Sequence, residues 1–134
     1  QAELCLNSLN NLEKNINIIR KQAKLYISNM NEKFISKLPI CSLKVDQNVY
    51  WHFPINIDKN YDKFRDYLFQ NGIDCVTYGL PLNNELPEFK IFNERLTESK
   101  RVKNKTIFLP IHPNYKYKFI ENIINKVNSF GDEI

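Results

Sequence analysis

The residue types that do chemistry in proteins are few in this chain, and their spacing is uncooperative. Histidine occurs twice, at His52 and His112, and neither has a carboxylate, a cysteine or a second histidine at a ligand spacing. Each is expected to be structural, and no metal site is assigned. Cys5, Cys41 and Cys75 are an odd set without a C-x-x-C pair, so neither a disulfide framework nor a zinc site is expected. Their spacing supplies no base to make any of them a nucleophile. Gly72, Gly79 and Gly131 are the only glycines, so the chain has no glycine-rich loop to cradle a phosphate. Trp51 alternates with apolar neighbours and is expected in the core rather than as a stacking platform. On these grounds the sequence describes a well-made small domain with no complete active site and no catalytic residue.

The elements that would position such residues belong to one domain, because 134 residues is close to one unit on a prior of roughly 150 residues per domain. At 43% hydrophobic and 25% charged the composition excludes disorder. The 19 Lys+Arg outnumber the 15 Asp+Glu by four, but they are spread along the chain, so no nucleic-acid partner is expected. No apolar run could span a bilayer and no leader precedes a cleavage site, which gives the expectation of a soluble, cytoplasmic protein without a membrane partner. The heavy use of Asn, Lys and Ile reads as a coding bias. The chain begins at Gln1 already inside an amphipathic pattern, with Met30 its only methionine. It is expected to be part of something longer.

Ala2, Cys5, Leu9, Leu12, Ile16, Ile19, Ala23, Tyr26 and Met30 alternate spacings of three and four, which predicts one long amphipathic helix over the first thirty residues. At 1.5 Å per residue it would reach about 45 Å, more than a domain of this size needs, so part of the stripe should face a partner. Residues 31–47 read as a polar connector. From Val49 the period changes to two, with Val49, Trp51, Phe53, Ile55 and Ile57 on one face and Tyr50, His52, Pro54 and Asn56 on the other. Pro54 places this strand at a sheet edge or a bulge. Asp58 or Asn60 is expected to cap a helix carrying Tyr61, Phe64, Tyr67 and Leu68, which stops at Asn71-Gly72 with glycine in the left-handed position. A second strand is expected at Ile73–Tyr78, a loop or lid over Gly79–Lys90, and a short exposed helix over Asn93–Asn104. A third strand at Thr106–Leu109 and a last helix, capped by Asn114 with Phe119, Ile120, Ile123, Ile124 and Val127 inward, complete the pattern. The expected fold is α/β: a small two-layer domain, a three-stranded sheet covered by helices and preceded by the long helix.

Segment by segment, the chain resembles the C-terminal part of the DegT/StrS family of sugar aminotransferases. Gln1-Ala2 opens a helix running through Leu9, Leu12 and Ile19-Arg20 to Tyr26, similar to the family's long helix with its Leu-rich stripe followed by Arg and Tyr. Gly72-Ile73-Asp74-Cys75, continued by Pro81-Leu82, Pro87 and Phe89, is similar to the family's Gly-Ile-Glu-Thr stretch. Leu109-Pro110-Ile111-His112-Pro113-Asn114 resembles the family's Leu-Pro strand end before its final helix. Many members carry an Arg, and beyond the Pro a His, facing a sugar-nucleotide site; this chain has Val76 and Asn83 there.

The resemblance implies the C-terminal small domain of the aspartate-aminotransferase fold type, with residues 1–31 as a long helix linking to a large domain and residues 32–134 as the small domain. It implies an enzyme using pyridoxal phosphate to move an amino group from an amino-acid donor to a nucleotide-linked keto sugar, as a homodimer and in polysaccharide biosynthesis. The cofactor lysine would lie in the large domain, so the chain alone is expected to bind no cofactor and to be inactive. Substrate contact is expected in the loop 76–89, through Tyr78 and Asn83. The alternative is a stand-alone, non-catalytic interaction or dimerisation domain, left by truncation or gene splitting, that pairs through its long helix. A dehydratase relative with His in place of the lysine is a third possibility.

Overall fold

The computed structural model describes residues 2–76, 82–92 and 96–134. Its helices are α1 (Ala2–Asn10), α2 (Leu12–Asn29), α3 (Glu32–Ile35), α4 (Tyr61–Gln70), α5 (Thr97–Lys103) and α6 (Tyr117–Asn128), and its strands are β1 (Phe53–Asn56) and β2 (Thr106–Leu109). The single long helix of the sequence pattern is thus two helices in succession. Asn11 parts them, its side-chain amide donating to the Asn7 carbonyl at 2.9 Å, as a short polar side chain competing with the helix does. The backbone still bonds across the joint, from Asn11 N–H to Asn7 and from Asn15 N–H to Asn11.

β1 and β2 pair antiparallel, Phe53 opposite Leu109 and Ile55 opposite Ile107. All four of those side chains are fully buried, against Ala23 and Tyr26 of α2 and Ile120, Ile123 and Val127 of α6. Burying each such aliphatic or aromatic group stabilises the fold by about 1.5–3 kcal/mol. Tyr26 and Phe53 stack at 4.6 Å, which joins α2 to β1. A second aromatic group, Phe34, Phe64 and Phe130 at 5.5 and 5.0 Å, joins α3, α4 and the chain after α6.

The expected second strand, Ile73–Tyr78, is not formed among the described residues, so the sheet has two strands there rather than three. Val76 alone bridges Phe108, giving and receiving one backbone hydrogen bond at 3.1 and 2.9 Å. The remainder of the predicted strand, up to Tyr78, lies outside the described residues. Because Phe108 spends its backbone groups on Val76, the Pro54–Phe108 pair is one without mutual hydrogen bonds, and the missing N–H of Pro54 costs the ladder nothing. The expected edge position of Pro54 is what the two-stranded sheet gives it.

Several local expectations change. The connector 31–47 holds α3 and two 3₁₀ turns, Ile40–Leu43 and Val45–Gln47. Neither Asp58 nor Asn60 caps α4: Asn60 sits at the N-cap with φ 55° and gives its amide to the Glu133 carbonyl, while Asp58 is held by Lys37 and Lys105 at 2.7 and 2.9 Å. α6 starts at Tyr117, after Lys116 rather than Asn114, and Phe119 lies exposed on it. Gly72 has φ +72° and ends α4 as expected, with Ile73 N–H returning to the Leu68 carbonyl at 2.9 Å. The loop 82–92 consists of two 3₁₀ turns, Asn83–Glu85 and Pro87–Phe92.

Candidate functional site

The period-two run that leads into β1 breaks phase at Tyr50. Its φ of +38° is a left-handed conformation that a bulky side chain adopts only under constraint, at a cost of about 1–3 kcal/mol. Two interactions hold it: the Tyr50 hydroxyl donates to the Ser42 carbonyl, and the ring stacks on Phe53 at 6.0 Å. Tyr50 is buried, and burial is the main cause that raises its phenol above the ordinary range. The turn at Tyr50 puts its ring where the alternation assigned Val49 and Trp51, and sends those two outward. Trp51 is 80% exposed. The expectation of a core tryptophan is therefore corrected: the left-handed Tyr50 breaks the extended alternation before β1 begins at Phe53, so Tyr50 is buried and Trp51 is not.

Outside the sheet, Trp51 and His52 stack at 5.5 Å with their planes 18° apart, and His52 leans on Phe108 at 5.8 Å. With Cys41, Asn48, Pro54 and Val76 they line an open cavity of about 570 Å³, a size that suits a small ligand. Among the described residues that line it there is no Lys, Arg, Asp or Glu. Asn48 has spent its side-chain amide on the carbonyls of Cys41 and Lys44, at 2.5 and 3.0 Å, and its own carbonyl accepts from Arg20 Nε at 2.9 Å. The described lining is thus mostly aromatic and apolar. It can hold a flat apolar group, and its lining shows no nucleophile paired with a base.

Of the residues singled out from the sequence, Val76 lines this cavity and Asn83 does not. Asn83 is exposed at the head of its 3₁₀ turn, and Tyr78 lies outside the described residues. His112 is exposed on the turn after β2, where Gln22 clamps the backbone: the buried Gln22 amide donates to the carbonyls of His112 and Tyr115, both at 2.9 Å, and accepts from His112 N–H. Cys75 is buried, and burial pushes its thiol up to about 11, which keeps it unreactive. Sequence reasoning missed the Trp51–His52 pair as a site. The available signal was the run Val49-Tyr50-Trp51-His52, whose four large side chains a single short strand could not all bury.

A small α/β unit with one helix-covered sheet face and one open face defines the class of the molecule. Residues 1–128 match the DegT/DnrJ/EryC1/StrS aminotransferase family, and the chain belongs to that family. Its fold is similar to that of a DegT DnrJ EryC1 StrS aminotransferase from Brucella abortus, with a TM-score of 0.78 and 21% identity over 93% of this chain and 33% of that one. It is likewise similar to DesV from S. venezuelae, with a TM-score of 0.75 and 20% identity over 97% of this chain and 35% of that one. A third likeness is to the sugar aminotransferase CalS13 from Micromonospora echinospora, with a TM-score of 0.73 and 14% identity over 94% and 33%. At these identities the likeness shows the fold. The chain spans about a third of the length of each of these proteins. A search of the curated proteins gave no match.

Family membership implies pyridoxal phosphate, and the residues described here do not fit it. A lysine that binds this cofactor needs a desolvated setting, and no lysine among the described residues is buried. Lys37 and Lys105 pair with Asp58, Lys59 with Glu133, Lys103 with Glu85, and Lys33 donates to the carbonyls of Phe130 and Asp132. Asp58, held by these lysines, is not available to a pyridine nitrogen. Among the described residues no helix is long and apolar enough to cross a membrane.

Proposed function

We propose that this chain is the C-terminal small-domain part of an aminotransferase that moves an amino group from an amino-acid donor to a nucleotide-linked keto sugar. Residues 1–31 link to a large domain, which carries the cofactor lysine, and residues 32–134 form the small domain that supplies one wall of the cleft. The observation that carries the reading is the family match over residues 1–128 together with coverage of only a third of each similar structure. A unit of this size without a lysine in a desolvated setting makes sense as one wall of a site completed by other parts. Tyr78 and Asn83 remain the proposed substrate contacts of this reading. The cytoplasm is its proposed compartment and polysaccharide biosynthesis its proposed setting.

The test is to read and express the coding sequence upstream of Gln1 with this chain. The longer product should release a keto acid from one of the twenty amino acids in the presence of a nucleotide-linked keto sugar and pyridoxal phosphate. A start codon just before Gln1, or a longer product without such transfer on any donor, overturns the reading. The exposed Leu6 and Leu9 on α1, with Leu12 at the start of α2, favour a second reading, a non-catalytic module that dimerises through these helices. Sedimentation distinguishes the two: the module requires a concentration-dependent dimer of the chain alone.

A further inference from the structure

Trp51 is the most exposed ring of its neighbourhood, yet it is held more firmly than an accidental surface tryptophan. One face lies against His52, His52 lies against Phe108 of β2, and the strained Tyr50 that turns Trp51 outward is pinned to Ser42 and Phe53. Trp51 lines the open cavity of about 570 Å³ together with Val76 and Pro54. We infer that Trp51 is a stacking platform for the nucleobase of a nucleotide ligand, an inference that rests on the nucleotide-sugar reading above and names the part of the ligand this wall takes.

The chemistry of the lining chooses the base over the sugar or the phosphates. A sugar ring needs several hydrogen-bonding partners for its hydroxyls, whereas the described lining is mostly apolar and aromatic and the Nδ2 of Asn48 is spent on the carbonyls of Cys41 and Lys44. Phosphates need cations or a cluster of free N–H groups, and among the described residues the lining has no Lys or Arg. A heterocyclic base brings a flat π-face that matches an indole, and such stacking tolerates any base. Because the platform is a pre-formed stack of rings, it loses little conformational freedom on binding.

Trp51 is the only tryptophan of the chain, so its fluorescence reports this site alone. Titration of the chain with UDP and with dTDP should quench that fluorescence saturably, while glucose 1-phosphate, which has no base, should not. Calorimetry with UDP should show roughly a 5- to 100-fold weaker affinity for Trp51→Ala, and recovery of most of it in Trp51→Phe. The side chain is exposed, so both variants fold, which circular dichroism confirms. Quenching by glucose 1-phosphate equal to that by UDP, no saturable quenching by either nucleotide, or unchanged UDP affinity in Trp51→Ala overturns the inference. The amino-transfer assay on the longer product separates the two claims: transfer by a protein whose Trp51 does not respond to nucleotides removes the platform and leaves the proposed function standing.

Discussion

The two faces of the β1–β2 pair are built from similar residues and meet different fates. On one face Phe53, Ile55, Ile107 and Leu109 are sealed under α2 and α6. On the other, Pro54, Phe108 and Val76 meet Trp51 and His52 around an open cavity. The same division runs along the first thirty residues: Ala23, Tyr26 and Met30 of the apolar stripe are buried, whereas Leu9, at 64% exposure, and Leu12 are not. Apolar character by itself therefore does not tell core from site here. What separates them is whether a second element of the same chain reaches over the surface, and large apolar residues left uncovered mark places where something else binds.

The sharpest way to break this comparison is to cut into the sealed face. Leu109→Ala should destabilise the chain by about 2–5 kcal/mol, read as a lower urea midpoint at unchanged slope. A loss below about 1 kcal/mol would mean that this face is not the core. Gln22→Ala comes next. It removes the part-buried hydrogen bonds that the amide makes to the backbone of His112 and Tyr115, and about 1 kcal/mol should be lost. Gln22→Leu should fare no better, because shape without hydrogen bonds leaves the Tyr115 carbonyl without its donor.

A smaller effect is expected from Asp58, whose carboxyl is held down to about 2, against an ordinary 3.8, first by the hydrogen bond from Lys37 and then by that from Lys105. Its folded-state pKa is depressed, so its contribution is whole above about pH 4 and is lost as pH falls through 4 toward 2. The carboxylate is 38% exposed, so solvent screening should hold the effect to about 1 kcal/mol or less. Asp58→Asn should lower stability at pH 6 and flatten its fall between pH 4 and 2. An unchanged acid profile in the variant would show that the pairs contribute nothing. The smallest effects belong to the open surfaces: Trp51→Ser and Leu9→Asp should each change stability by no more than about 0.5 kcal/mol. A large loss from either would place that residue in the core and dissolve the contrast between the faces.

The strands at Phe53–Asn56 and Thr106–Leu109, the helices on either side of them, the amphipathic stripe, the inward set Phe53, Ile55 and Ile57, and the left-handed Gly72 at the end of α4 are legible in the sequence. Each rests on a period or a single-residue conformational preference that acts over a few neighbours. The family resemblance was legible too, from short motifs in the right order, and the match over residues 1–128 agrees with it. What the sequence did not contain was the outward turn of Trp51. Alternation assigns it to the core, and only the anchoring of Tyr50 to Ser42, eight residues earlier, shifts the phase. Nor could it show that Val76 makes a single bridge to Phe108, or that Gln22 rather than a helix cap orders the turn after β2, with partners ninety or more positions away. Periodicity reports which side chains prefer to leave water. Which of them succeed depends on distant segments arriving to cover them, and that is decided only when the chain is folded.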